Sequence, residues 1–290
     1  LGRKNTYKQK GEALMKKYWI IACLTGLLVL LPACTQAPAE SGVSESVLPE
    51  SGVSESVLSE SPQETVPSEE ASTVAPVEAV EFNDPVLEQK IRTAMNRPEG
   101  PITVEEAAAV TTLDLGNESF EKMNDGNKFK DISALRYFTG LKELNLSFNE
   151  FSDLSSLSGL TSLETLAFNG TWVEDITPLK DLTNLKCLVF CWMRGDSGTP
   201  KGIESLSALS GLKNLEMLDA KNAGIRDISA LADLPKLWEV QLNDNLIKDV
   251  SPLAEVKALK TLLLAGNPVE NFSPLKDIYA QLEGKDFEIK

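Results

Sequence analysis

Apolar residues return along this chain in a pattern that neither a helix nor a strand explains alone. From Leu141 the sequence reads "LKELNLSFNEFSDLSSLSGLTS", and from Leu163 "LETLAFNGTWVEDITPLKDLTN"; "LWEVQLNDNLIKDVSPLAEVKA" follows at Leu237. Aligned starts fall at Val110, Leu141, Leu163, Leu185, Leu215, Leu237 and Leu259, with spacings of 31, 22, 22, 30, 22 and 22 residues. Seven apolar positions recur in register, in one copy Leu141, Leu144, Leu146, Phe151, Leu154, Leu157 and Leu160. A short strand, a turn and a tight 3₁₀-like return account for that spacing. Ahead of the repeats, Asp84 with Pro85 predicts one helix start, and Thr103 with Glu106 a capping box for a second.

The pattern is that of an α/β solenoid of seven leucine-rich repeats, with a parallel concave sheet and a helical N-terminal cap. The "DISAL", "DITPL", "DISAL" and "DVSPL" segments at 131, 175, 227 and 249 resemble the 22-residue repeats of bacterial internalins, and "FNDPVLEQKIRTAMNRPEGPITVEEAAAVTTLDL" resembles their helical cap. The resemblance spans residues 82 to about 280 and implies a recognition module with protein partners. The asparagine of that family that hydrogen-bonds the turn is matched by Asn149, Asn245 and Asn267; Glu118, Thr171, Met193 and Ala223 stand in the same column. The middle of the solenoid is therefore the least regular part.

In a solenoid, alternate strand residues point away from the core. One outward column reads Glu143, Thr165, Cys187, Met217, Glu239 and Thr261, the next Asn145, Ala167, Val189, Asp219, Gln241 and Leu263. Phe148, Trp172, Trp192 and Trp238 flank them. Cys187, Val189, Cys191, Trp192 and Met217 are expected to form an exposed apolar patch, the composition of an interface core. With Phe148, Trp172, Asp219, Trp238 and Glu239 they make the expected partner site. The alternative for Trp192 is that it folds down over a break in the ladder.

Two repeats are longer than the rest, by nine residues within 119–128 and by eight at about 195–202. Glycines and Pro200 make the later excess a protruding loop, expected to carry Arg194-Gly195-Asp196 at its tip. This tripeptide resembles the integrin-binding motif of matrix proteins, which implies Arg194 and Asp196 as contacts to an integrin.

Composition narrows the function. Of 290 residues none is histidine, and 43 acidic side chains outnumber 28 basic ones. Without histidine, His-based triads and His-rich zinc sites are impossible. The acidic balance argues against nucleic acid, since no basic stripe is there to displace phosphate counterions. No cofactor is implied. A carboxylate-based hydrolase of cell-wall glycan, using Asp219, Glu239 or Asp244, is the enzymatic alternative; an envelope protein that binds its own kind is the structural one.

Charge also divides the chain. Residues 1–33 carry a net +5, 34–81 a net −10 and 82–290 a net −10. From Met15, "MKKYWIIACLTGLLVLLPACTQ" reads as a signal peptide over 15–33. Its end, Leu31-Pro32-Ala33-Cys34, resembles a bacterial lipobox, which implies lipidation of Cys34 and a membrane-held protein on the extracytoplasmic face. Residues 1–14 fit no part of such a peptide and are read as an over-extended gene start. Residues 34–81, with "SGVSESVLPE" followed by "SGVSESVLSE", are too polar to bury a core and are expected to form a disordered tether. The expected domains are then the cap at 82–109, the repeats at 110–280 and a C-terminal tail or cap at 281–290. Cys187 and Cys191, four residues apart on a strand, would stand roughly 13 Å apart, beyond the reach of a disulfide.

Overall fold

The computed structural model describes residues 78–117, 126–193 and 202–289. The expected gene start, signal peptide, most of the tether, Cys34, Glu118, Arg194, Asp196 and nearly all of both long-repeat insertions lie outside the described residues.

Helix α1 (Pro85–Ala94) begins where the sequence places it. Asp84 Oδ1 accepts from the Val86 and Leu87 N–H groups at 2.9 and 3.1 Å, and Pro85 fills the first helical position, which needs no donor. Oδ2 of the same carboxylate accepts from Lys130 and Asp131 N–H, joining the cap to the first return segment. Burial works against that charge, yet these backbone donors outweigh it and hold the Asp84 carboxyl below its ordinary range. Helix α2 (Val104–Ala108) carries both halves of the capping box, Glu106 N–H to Thr103 Oγ1 and Thr103 N–H to Glu106 Oε2.

Eight parallel strands follow in chain order, each beside the next: β1 (Thr112–Asp114), β2 (Glu143–Asn145), β3 (Thr165–Ala167), β4 (Cys187–Val189), β5 (Met217–Asp219), β6 (Glu239–Gln241), β7 (Thr261–Leu263) and β8 (Gly284–Lys285). Between them the chain returns through 3₁₀ turns such as Ser155–Leu157 and Thr177–Leu179. Strand pairing puts Glu143, Thr165, Cys187, Met217, Glu239 and Thr261 side by side, and likewise Asn145 through Leu263. These are the outward columns read from the periodicity. The central residues Leu144, Leu166, Leu188, Leu218, Val240 and Leu262 point into one continuous buried core.

Strand β8 was not expected. The segment after the last full repeat starts an eighth copy, with Leu282 buried and Asp286 Oδ1 accepting from Leu264 and Ala265 N–H. Phe287 stacks on Phe272 at 4.7 Å and meets Tyr279 edge-on. A carboxylate thus satisfies backbone donors that a following repeat would otherwise take. Short helix α3 (Lys276–Tyr279) brings Tyr279 to this contact.

Candidate functional site at the sheet face and turn edge

The irregular middle of the ladder shows how the site is held. Asn245 Nδ2 donates to Ala220 O at 2.8 Å and Leu242 O at 2.9 Å, while its Oδ1 accepts from Ala223 and Ile225 N–H at 3.0 Å each. Asn149 and Asn267 make the same kind of link between adjacent repeats. Thr171 keeps only the local half, Oγ1 to Phe168 O, and Met193 is buried in the core instead. Packing takes over there: Phe168 and Phe190 stack at 5.3 Å, beside the small residues Ala220 and Ala223. Asn169, which the repeat alignment does not single out, bridges the gap by accepting from Cys191 N–H at 2.7 Å and donating to Ser147 Oγ.

On the outward face of β4, β5 and β6 the structure corrects the expected exposed patch. Val189, Cys191, Met217, Asp219 and Glu239 are buried, and Cys187 is part-buried. Residues of one column stand about 4.8 Å apart across the sheet, so neighbouring side chains cover one another. Cys187 Sγ lies 3.7 Å from Met217 Sδ, and Cys191 Sγ–H donates to Asp219 Oδ1 at 3.0 Å. Asp219 is fully buried, and its other oxygen accepts from Lys221 Nζ at 3.0 Å. Glu239 accepts a short hydrogen bond from Gln241 Nε2. Asp244, the third acid of the hydrolase alternative, stands apart from this cluster, exposed at the turn.

Both cysteines are free. Burial pushes the Cys187 thiol up to about 12, with Asp219, Glu239 and Glu216 adding to the effect. Burial and then Asp219 hold Cys191 well above its ordinary value. Neither thiol is therefore a nucleophile at neutral pH. Among the described residues no group of three or more histidine, cysteine, aspartate or glutamate side chains is placed to hold a metal ion.

The flanking aromatics separate into two edges. Trp238 immediately precedes β6, in a column that otherwise alternates in charge: Lys142, Glu164, Lys186, Glu216, Trp238 and Lys260. Within that column Lys186 Nζ lies 2.6 Å from Glu164 Oε2. Phe148, Trp172 and Trp192 lie on the opposite edge, in the turns that follow the strands. Phe148 is buried, whereas Trp172, Trp192 and Trp238 each keep part of their surface exposed.

This turn edge carries a feature that periodicity alone does not reveal. Phe148, Gly170, Trp192, Asn222, Asp244 and Gly266 hold one position in six successive repeats, and every one has positive φ, between 50° and 82°. Glycine, asparagine and aspartate suit that left-handed conformation; a bulky aromatic costs on the order of 1–2 kcal/mol there. Such strain gathers at functional sites. Gly202, where the long fourth repeat rejoins the pattern, is needed for a different reason: a Cβ there would stand 1.7 Å from Ala223 O. Ile203 then enters the core in the column of Phe151 and Val173.

No protein-family model and no curated protein matches the sequence. Solved structures do. An internalin (inlF) from Listeria monocytogenes superposes with a TM-score of 0.55 at 26% identity, over 75% of this chain and 67% of that one. Internalin C2 (inlC2) from the same organism gives 0.54 at 27%, over 75% of this chain and all of that one. A leucine-rich-repeat protein of Leptospira interrogans gives 0.52 at 21%, over 63% and 44% of the two chains, a likeness of fold alone. The chain carries an internalin-like leucine-rich-repeat fold.

Proposed function

We propose that this protein is a non-enzymatic recognition module that binds a protein partner at its sheet face and turn edge, and that it works at the extracytoplasmic face of a bacterial membrane, held there by lipid on Cys34. The observation that carries the binding site is the placement of the part-exposed Trp192 in a backbone conformation that disfavours it, beside the part-exposed Trp172. Aromatic side chains of this kind supply large contact area at small entropy cost. A parallel sheet of eight strands fixes their spacing. The anchoring half of the proposal rests on the Leu31-Pro32-Ala33-Cys34 sequence and the polar segment after it. No helix among the described residues is long and apolar enough to cross a membrane.

The buried acids Asp219 and Glu239 fit this reading better than hydrolysis. Each is engaged by a neighbouring side chain, Asp219 by Lys221 and Cys191, Glu239 by Gln241. The test is affinity capture with the full chain and with Trp172→Ala and Trp192→Ala variants, read by mass spectrometry. A partner retained by the parent and lost by both variants supports the reading. Equal capture by all three overturns the assigned surface.

A further inference from the structure

We propose that a groove between the return segments of the third and fourth repeats takes an extended, basic segment of a partner protein, which adds as a strand to the open edge at Ser205. This surface shares no residue with the sheet face and turn edge assigned above, and its test is independent of theirs. The groove opens where the fourth repeat leans on the fifth. Gly202 approaches Ala223 O so closely that a Cβ there would stand 1.7 Å from it, and the chain beyond Gly202 pairs forward. Ile203 N–H donates to Ala223 O at 3.0 Å, Asp227 N–H to Glu204 O at 3.0 Å and Leu206 N–H to Asp227 O at 3.1 Å. These bonds make Ser205 and Asp227 partners in a parallel bridge. Among the described residues no backbone hydrogen bond joins 202–207 to 173–177 of the third repeat. A groove of about 520 Å³ lies between the two segments instead.

The edge that faces the groove is backbone. In a parallel ladder successive residues turn their N–H and C=O groups to opposite sides. Glu204 and Leu206 bond to the fifth repeat, so Ser205 N–H and C=O face the third, and neither has a partner among the described residues. The Ser205 hydroxyl is already committed, donating to Asp227 Oδ2 and accepting from Ser207 N–H. An unpaired edge of this kind takes an added strand through its main chain, and side chains set the choice. Charge makes that choice here. Glu174, Asp175 and Glu204 border the groove, and no lysine or arginine does. All three are exposed. Asp175 accepts from Thr177 N–H, whereas the Glu174 carboxylate has no hydrogen bond or ion pair among the described residues. Glu204 lies 3.7 Å from Arg226 with both side chains more than half exposed, a weak pair. An acidic segment would be repelled. Ile176 and Ile203 of the lining are already buried in the core, which leaves an apolar segment little to cover.

The test uses the full chain in detergent and a defined probe, acetyl-Thr-Lys-Val-Lys-Thr amide, with acetyl-Thr-Glu-Val-Glu-Thr amide as its counterpart. Binding is followed by calorimetry and by hydrogen exchange at Ser205 N–H. Saturable binding of the lysine peptide alone is expected, with exchange at Ser205 slowed. Methylating the peptide nitrogens at alternate residues should weaken binding about tenfold in one phase and spare it in the other, since a strand turns only alternate N–H groups to its neighbour. Glu174→Gln should weaken it about fivefold. Ser205→Pro removes the edge donor and should abolish binding. Ser205→Ala loses the same hydroxyl bonds but keeps the N–H, and should bind like the parent; its melting temperature is the reference for the proline variant, which an edge position tolerates. Should Ser205→Pro not fold, the methylated peptides still decide the matter. No binding of the lysine peptide, or binding indifferent to methylation in both phases, overturns the added strand. Binding unchanged in Glu174→Gln overturns the selection of a basic segment.

Discussion

Phe148 and Trp192 occupy the same left-handed turn position two repeats apart, with φ of 61° and 55°, and Gly170 occupies it between them. The neighbouring copies use Asn222, Asp244 and Gly266, residues that tolerate this backbone. Trp192→Asn should therefore leave stability unchanged or raise it by up to about 1 kcal/mol, measured by urea unfolding. The reverse change, Asn222→Val, should destabilise by about 1–2 kcal/mol. A large loss on Trp192→Asn would show that the ring is a packing element, and that relief of backbone strain is the smaller effect.

Core and surface columns alternate along each strand, so their substitutions should differ sharply. Leu188→Ala and Leu218→Ala each empty a fully buried site between stacked repeats and should cost about 2–5 kcal/mol. Thr165→Ala, on the outward column and part exposed, should fall within about 0.5 kcal/mol of the parent. Similar costs at both kinds of position would contradict the register.

The asparagine ladder gives a second contrast. Asn245 joins two donors and two acceptors of buried backbone, whereas Thr171 satisfies a single carbonyl. Asn245→Ala leaves several buried groups unpaired, each worth about 1–3 kcal/mol, and should be the more damaging change by a clear margin. Hydrogen exchange at Ala223 and Ile225 N–H, the two donors it releases, should accelerate most.

Acid sensitivity should come from the return segments. Asp153 and Asp175 are held below their ordinary value of 3.8 chiefly by the hydroxyls of Ser155 and Thr177, Asp227 and Asp249 by the N–H groups of Ser229 and Ser251. A carboxyl depressed in the folded state contributes stability above its unfolded value, and that contribution is lost as pH falls through the folded one. Stability should thus decline below about pH 4. Asn271 makes the equivalent bond to Ser273 N–H without a charge. A variant with asparagine at all four aspartate positions should fold and show a flatter acid limb in thermal melts; an unaltered limb would place the titration elsewhere.

Membrane association is predicted to depend on Cys34. Cys34→Ser should abolish labelling by a palmitate analogue and move the protein out of the membrane fraction. Retained labelling would refute the lipoprotein reading.

Columns were legible in the sequence because a solenoid repeats its local geometry: the same residue spacing brings Leu144, Leu166 and Leu188 into line wherever it occurs. Both helix caps were legible for a similar reason, since Asp84 and Thr103 bond to donors within three residues of themselves. Strand β8 was not, because its short eighth copy contains too few of the seven apolar positions to declare a repeat. The exposure of Cys187, Val189, Cys191 and Met217 was misjudged because a column position fixes only the direction of a side chain. How much water reaches it depends on neighbours one repeat away, here Asp219, 28 residues on, for Cys191 and Met217, 30 residues on, for Cys187.

The amino-acid sequence by itself determined the solenoid, its register and the line of the core, because short-range periodicity and caps are enough to specify a structure in which each unit contacts only the next. Tertiary structure alone decided which edge each tryptophan lies on, which outward residues are covered, and how Asn169, Phe168 and Phe190 hold the irregular middle. It also decided that Phe148 and Trp192 sit at positive φ. That property belongs to the turn as it is closed by the adjoining repeats, through bonds such as Phe148 N–H to Asn169 O and Trp192 N–H to Lys221 O. Residues far apart in the chain impose a backbone conformation that local preference would not choose.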